Sequence, residues 1–358
     1  MVTLGILVTD LRQEEDYFTT MAKASSTENV HILLFLPKDI NRSKKMVKSK
    51  SYCHKTNEWQ EDYSPLPMYI YDRCFYENEE VYKVHYAHVS WLKSQPDIFF
   101  LGYGLPNKWL VYNMLKEDPV INLFLPDTEL VTTSEIVFSM LTKHDSILLK
   151  PVSGSQGKGI FILTNQNKGF RLIAKKNTIP FQKSLTKKQV QHLINKVTVK
   201  RKYLLQPCLQ LTDNDERPFD LRIFLQKNEE GKWKEIGRGI RTGKIGDYTS
   251  NLGSGGVVYP YIEWLHTLPI DACQPLQVNL AALIERIPLV LEKHGQQLFE
   301  LGLDFGFAND GKLWLLEVNS KPGRKVITTS FPDKKEILAR APIDYCRYLD
   351  RKRKGVGV

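Results

Sequence analysis

Residues 301–323, LGLDFGFANDGKLWLLEVNSKPG, constrain the fold more than any other stretch of the chain. Asp310-Gly311 between two apolar runs predicts a two-residue hairpin, because glycine tolerates the positive φ such turns need. With those residues as the loop, Asn309 pairs with Lys312, and counting back sets Asp304 opposite Glu317. Asn319 falls on the same face by the strand period of two. The other face is then Phe305, Phe307, Trp314, Leu316 and Val318, which reads as core. Carboxylates facing across a ladder repel. A hard divalent cation reverses that sign, and carboxylate with amide oxygen suits Mg²⁺. A solvated outer face is the alternative that the hairpin alone leaves open.

A chain of 358 residues suggests two or three domains. Its 42% hydrophobic and 25% charged content is that of an ordinary globular protein. No apolar run approaches the roughly 18–20 residues of a membrane helix. The start, MVTLGILVTDLRQEED, lacks a basic leader and reads as a first core strand. The five cysteines are odd in number, far apart and form no CxxC. That pattern argues against a disulfide framework or zinc site and for a reducing cytoplasm. The net charge is +10, with basic runs at 42–50 and 351–354. Neither run is interleaved with aromatic residues, so nucleic acid is not indicated. They read as a solvated loop and a mobile tail.

Residues 1–115 read as a small α/β domain. Strands are expected at 3–9, 30–36, 68–72 and 97–101, with helices at 14–26 and 79–93, an alternation that predicts a parallel sheet. Residues 38–66 are polar, lack a period and read as irregular. Helices follow at 108–116, 134–143 (with Ser134 as N-cap) and 187–197. Strands are expected at 147–151, 160–163, 203–209, 219–226 and 234–241. A long helix is expected at 275–301, with Pro275 in its first turn and a kink at Pro288. A closing helix is expected at 334–348. The domains divide at 1–115, 116–200 and 201–350, with 351–358 as a basic tail.

The second strong feature is the loop from Lys150 through Ser153, Gly154, Ser155, Gln156, Gly157, Lys158 and Gly159. Small residues let backbone amides approach an anion, and the two lysines add charge. It is not a Walker A loop: two residues separate Gly154 from Gly157, and no Ser or Thr follows Lys158. Since it leads into a β-branched run, it reads as a strand–loop–strand flap over phosphates. Asp220 and Arg222 share one strand face. Arg238 and Arg241 are three apart, so one of them leaves the site face. Arginine's planar fork suits phosphate and carboxylate. Asn251 lies in a glycine-rich loop that could line a site.

The order of these parts over residues 120–345 resembles the ATP-grasp ligases. The resemblance is carried by the glycine loop at 150–159, Asp220-Leu-Arg222, Arg241, Gly246-Asp-Tyr-Thr-Ser-Asn-Leu252, Asp304 and Glu317-Val-Asn319-Ser-Lys-Pro-Gly323. The stretch at 246–252 is similar to ribosomal-protein glutamate ligase and glutathione-synthetase-like members. The whole chain, including Tyr71-Asp-Arg73, looks like the YheC/YheD group, which is labelled endospore coat-associated.

That resemblance implies an α/β (α+β) ATP-grasp fold. Two subdomains hold ATP between antiparallel sheets, after a small N-terminal α/β domain. It implies ATP and two Mg²⁺ ions, with Mn²⁺ an alternative. Lys150 would touch the nucleotide, residues 153–159 would close over its phosphates, and the hinge Gln206 to Leu209 would hold adenine. Asp304, Glu317 and Asn319 would be metal ligands. Arg241 would stabilise the transferred phosphoryl group and Arg222 would assist. Asn251, Ser320 and Lys321 are weaker substrate candidates, with Lys321 aimed at an acidic substrate. The implied activity is an ADP-forming carboxylate–amine ligation through an acyl phosphate, cytoplasmic or coat-associated. A kinase and a non-catalytic ATP-binding coat protein stay open as alternatives.

Overall fold

A computed structural model describes residues 2–76, 78–154, 157–176, 179–213, 215–247, 250, 255–295 and 297–355. Ser155, Gln156 and Asn251 lie outside the described residues. Three sheets organise the chain.

The first contains β1 (Val2–Leu7), β2 (Val30–Asn41), β3 (Met46–Cys53), β4 (Glu58–Pro65), β5 (Tyr69–Asp72) and β6 (Phe99–Phe100), in the order β4-β3-β2-β1-β5-β6. Strands β2, β1, β5 and β6 run parallel, as the alternation with α1 (Glu15–Ala24) and α2 (Glu79–Lys93) predicts. Residues 38–66 are not irregular. They continue β2 and form the antiparallel strands β3 and β4. Their signal is weak for two reasons. The β2–β3 ladder breaks between Phe35 and Ile40, where Pro37 can sit without a ladder hydrogen bond. At the sheet edge, β4 is mostly exposed and has no core face to encode.

Helices α3 (Lys108–Lys116) and α4 (Pro119–Asn122) lead to the second sheet. Asn107 and Asp118 cap them by accepting hydrogen bonds from first-turn amides. The second sheet holds β7 (Glu129–Leu130), β8 (Ser146–Pro151), β9 (Phe161–Gln166), β10 (Gly169–Lys176), β11 (Ile179–Leu185) and β12 (Tyr203–Pro207). Its order is β11-β10-β9-β8-β12-β7, and its pairings are antiparallel. α5 (Ser134–Lys143) and α6 (Lys187–Lys200) pack Val137, Met140, Val190 and Ile194 on one face. The N-cap of α5 is Thr133 rather than Ser134. α6 starts with a capping box between Thr186 and Gln189.

The third sheet has β13 (Phe219–Lys227), β14 (Trp233–Thr242), β15 (Val257–Pro260), β16 (Glu300–Phe307) and β17 (Leu313–Asn319), ordered β15-β14-β13-β16-β17. After α7 (Tyr261–Leu265), the long helix α8 (Ile270–Lys293) covers one face. It begins before Pro275 and ends before the strand at 300, so both Pro275 and Pro288 are interior. Its stripe Leu276, Leu280, Leu283 and Ile287 meets Leu221, Ile223, Leu303 and Phe305. Asp220, Arg222 and Asp304 therefore cannot share that face, and they point to the opposite one by the strand alternation. α9 (Lys325–Ser330) packs on β14. α10 (Lys335–Arg353) returns to the first sheet, where Ala339, Ile343 and Cys346 share a core with Leu4, Ile6 and Phe18. Most of the basic run at 351–354 is its last turn rather than a tail.

Candidate nucleotide and metal site

Antiparallel register builds the site row by row. Asp220 lies opposite Arg241, Arg222 opposite Asp304, and Asp304 opposite Glu317. Arg222 grips Asp304 with its fork, Nε to Oδ1 and Nη2 to Oδ2, the latter at 2.8 Å. Arg241 does the same to Asp220 at 2.6 and 2.8 Å, and its Nη2 lies 3.0 Å from Asp304 Oδ1. Ser250 donates to the Asp220 carboxylate. Arg238 leaves this face and pairs with Glu235 beneath the Tyr261 ring. Burial disfavours the Asp304 charge, but Arg222 and Arg241 outweigh it and hold the carboxyl below its ordinary range. The same two carboxylates, against the cost of burial, raise the Arg241 pKa.

Glu317 and Asn319 complete the hairpin's polar face. Asn319 Nδ2 donates to Asp304 Oδ2 at 3.3 Å. Two carboxylates and an amide oxygen on adjacent strands form a hard donor set that fits Mg²⁺. Asp304 is ionised, as a ligand must be, while the arginines already engage both of its oxygens. Among the described residues no group of three or more His, Cys, Asp or Glu is placed to hold a metal ion, so any site here depends on Asn319 as well.

Across a small cavity of about 60 Å³ stand Lys150 and Gln206 of the second sheet. Leu316 and Glu317 line its other side. Lys150 Nζ donates to Leu316 O at 3.2 Å. Burial, with Lys108 adding to it, lowers its pKa to about 8 against the pull of Glu317 and Asp304. Gln206 Nε2 donates to Thr128 Oγ1 at 2.7 Å. Leu209 is half-buried beyond the end of β12. The flap is strand–loop–strand, from β8 to β9, and Ser153, Gly154, Lys158 and Gly159 are exposed. Gly154, Gly157 and Gly159 all have positive φ, which the glycines permit.

Lys108 is the site residue that sequence reasoning missed. Its Nζ reaches Gly154 O at 2.9 Å and Glu317 Oε1 at 3.3 Å, tying the flap to the hairpin. Nothing local marks it, since it opens an ordinary linking helix. Gly302 was also missed. A Cβ there would come within 2.7 Å of Pro322 and 3.2 Å of Arg222 Nη1.

Two expected substrate contacts have other partners. Lys321 Nζ is taken by buried Asp72 at 2.6 Å and by Cys74 O at 3.1 Å, so its charge is not free for an acidic substrate. Ser320 Oγ accepts from Leu105 N at 3.0 Å. Arg222 is held by Asp304 through both carboxylate oxygens.

Residues 97–349 match the YheC/D like ATP-grasp family. The chain belongs to that family. It is 34% identical over 367 residues to the endospore coat-associated protein YheC of Bacillus subtilis, covering 99% of each chain. It is 26% identical over 303 residues to the endospore coat-associated protein YheD of the same organism, covering 84% of this chain and 66% of that one. Among solved structures, the ATP-grasp ligase PsnB complexed with minimal precursor aligns with a TM-score of 0.54 at 13% identity, covering 96% of this chain and 100% of that one. D-alanyl-alanine synthetase A from Vibrio cholerae aligns at 0.52 and 13%, covering 99% and 98%. At such identities the likeness is one of fold, and the fold of this YheC/D-like chain is ATP-grasp. Among its described residues no helix is long and apolar enough to cross a membrane.

Proposed function

We propose that this YheC/D-like chain is an ATP-dependent carboxylate–amine ligase. The observation that carries the reading is the row Arg241, Asp220, Arg222, Asp304 and Glu317, whose end residue Glu317 lines one cavity with Lys150 and pairs with Lys108, which also reaches Gly154 of the glycine flap. A scaffold would need no such concentration of buried charge. In this reading, the second and third sheets hold ATP between them, and residues 1–115, 116–200 and 201–350 act as three domains. The coat association of the two Bacillus relatives' names is the proposed setting.

Asp304, Glu317 and Asn319 would hold Mg²⁺, which supplies charge neutralisation to phosphate oxygens when bound. Lys150 and Lys108 present ammonium groups to the same phosphates. A substrate carboxylate oxygen attacks the γ-phosphorus and ADP leaves, giving an acyl phosphate. An amine then attacks the acyl carbon. Phosphate departs with the bonding pair, and the amine gives up a proton. Arg241 places its guanidinium where the tetrahedral intermediate's negative charge develops. Asp220 and Asp304 hold that fork in place. Closure of the flap onto Lys108 keeps water from the acyl phosphate.

The test supplies the purified full chain with ATP, Mg²⁺ and a pool of metabolite acids and amines. The expected result is ADP together with a new amide mass. Nucleotide binding with neither product would favour a non-catalytic ATP-binding protein. ADP with a stable phosphorylated product would favour a kinase.

A further inference from the structure

Residues 143–202 contain fourteen Lys or Arg and one acid, Asp145. This sixth of the chain thus carries more positive charge than the whole protein's +10, and the remainder is net acidic. The segment is the flap sheet with α6. Lys168, Arg171, Lys183, Lys187, Lys196 and Lys200 are among its exposed cations. Among the described residues none of these six enters an ion pair with an acid, whereas basic residues elsewhere often do. In the run at 42–50, Lys45 pairs with Asp97 at 2.8 Å and Lys48 with Glu61 at 3.2 Å. At the C-terminal end, Lys354 pairs with Asp350 at 2.7 Å. The two runs most visible in the sequence are partly neutralised, whereas the flap sheet with α6 concentrates exposed cations that have no acid partner among the described residues.

Geometry selects the kind of polyanion. β11 is the outer strand of its sheet, and its residues are exposed except Leu185. A free strand edge offers backbone donors and acceptors to an extended polypeptide, which a nucleic acid cannot pair. Lys183 lies on that edge, and α6 packs against β10 and β11 beside it. Lysines on an edge repel a second copy of the same edge and attract an acidic strand. Of the exposed aromatic side chains only Phe181 lies on this segment among the described residues, which leaves little for bases to stack on. The basic face also reaches the flap, because the Arg201 guanidinium lies beside Gly159.

We propose that this face docks an acidic polypeptide as an added strand along β11, its carboxylates over Lys183 and the lysines of α6. The proposal goes beyond the ligase reading. That the docked chain supplies the reacting carboxylate would rest on it, but docking itself does not.

Anisotropy of a labelled oligo-glutamate peptide, measured on the full chain without ATP at about 0.15 M salt, tests it. The Lys183→Glu, Lys187→Glu, Lys188→Glu, Lys196→Glu variant should bind about tenfold or more weakly. An equal charge change at exposed Lys23, Lys44, Lys55 and Lys335 should cost no more than about threefold. The corresponding four Lys→Gln changes on the face should give an intermediate loss, with thermal melting confirming that each variant is folded. Equal losses in the face and control variants would overturn the proposal, as would tighter binding of single-stranded DNA of the same charge. Loss of ADP formation with intact peptide binding would remove the ligase reading alone. ADP formation from small acids without peptide binding would remove the docking alone.

Discussion

Asp304 and Glu317 lie opposite each other because one residue, Leu316, is extra in the β17 ladder. Near the turn the pairs are Phe307 with Leu313, Gly306 with Trp314 and Phe305 with Leu315. The turn spans more than Asp310-Gly311, closing with Ala308 N to Lys312 O at 2.9 Å. The register then shifts by one between Phe305 and Asp304. The bulge re-aims the strand, as bulges beside sites do. It buries Leu313 and Leu315, leaves Trp314 under the Lys312 ammonium at 3.8 Å, and turns the Leu316 carbonyl to Lys150.

Glu317→Gln should abolish Mg²⁺-dependent ATP turnover while shifting the melting temperature little, because Glu317 is half-buried and its Lys108 contact is solvent-accessible. ADP release by the purified variant checks it. Turnover at the parental rate would remove Glu317 from the reaction.

Gly302→Ala should lower turnover by about tenfold or more with the chain still folded. The added Cβ meets Arg222 and Pro322 and displaces the fork that orients Asp304. Steady-state ADP formation, compared with the far-ultraviolet spectrum, separates this from unfolding.

Lys150 should make nucleotide affinity pH-dependent. Its ammonium has a pKa of about 8, so its charge is present below that pH and is lost above it. ADP affinity should therefore fall as pH rises from about 8 towards 9.5, measured by calorimetry. In Lys150→Arg the fall should be absent, since guanidinium keeps its proton.

Glu14 should make the fold acid-sensitive. Burial opposes its charge, but Arg73 and Arg324 prevail and take its pKa from 4.5 down to about 2. The folded pKa is the lower one, so its stabilisation is present above pH 4.5 and is lost as pH falls towards 2. The magnitude is about 3 kcal/mol. Arg73 also binds Glu300 at 2.6 Å, so this network joins the first sheet to the hairpin. Glu14→Gln should be less stable at pH 6 and lose less on going to pH 3. Urea denaturation at both pH values decides, and an unchanged pH dependence would count against the network's role.

Much of the site was legible because it is written in short-range spacing. Glycines with positive φ between two strands, and acids at alternate positions after an apolar run, express local backbone rules. The polar face that holds Asp304 and Glu317 and the strand–loop–strand flap follow from such rules, as does the parallel part of the first sheet, whereas Arg241 rather than Arg238 was indicated only by the family resemblance. Strand β11 escaped, because an exposed edge strand carries no buried alternation to read, while β10 lies inside the sheet and buries Leu172 and Ala174.

The sequence by itself determined which groups carry charge, where the chain can turn and which stripes must be buried. Only the tertiary structure decided their partners. Lys321 meets Asp72 across 249 residues, and Lys108 meets Glu317 only once the linking helix docks beside the hairpin. The bulge at Leu316 depends on how β17 fits the core and the cavity together. The concentration of exposed cations without an acid partner among the described residues, on the flap sheet with α6, appears only when acids elsewhere have found their own cations. Each outcome is set by packing between distant elements, which no local spacing contains.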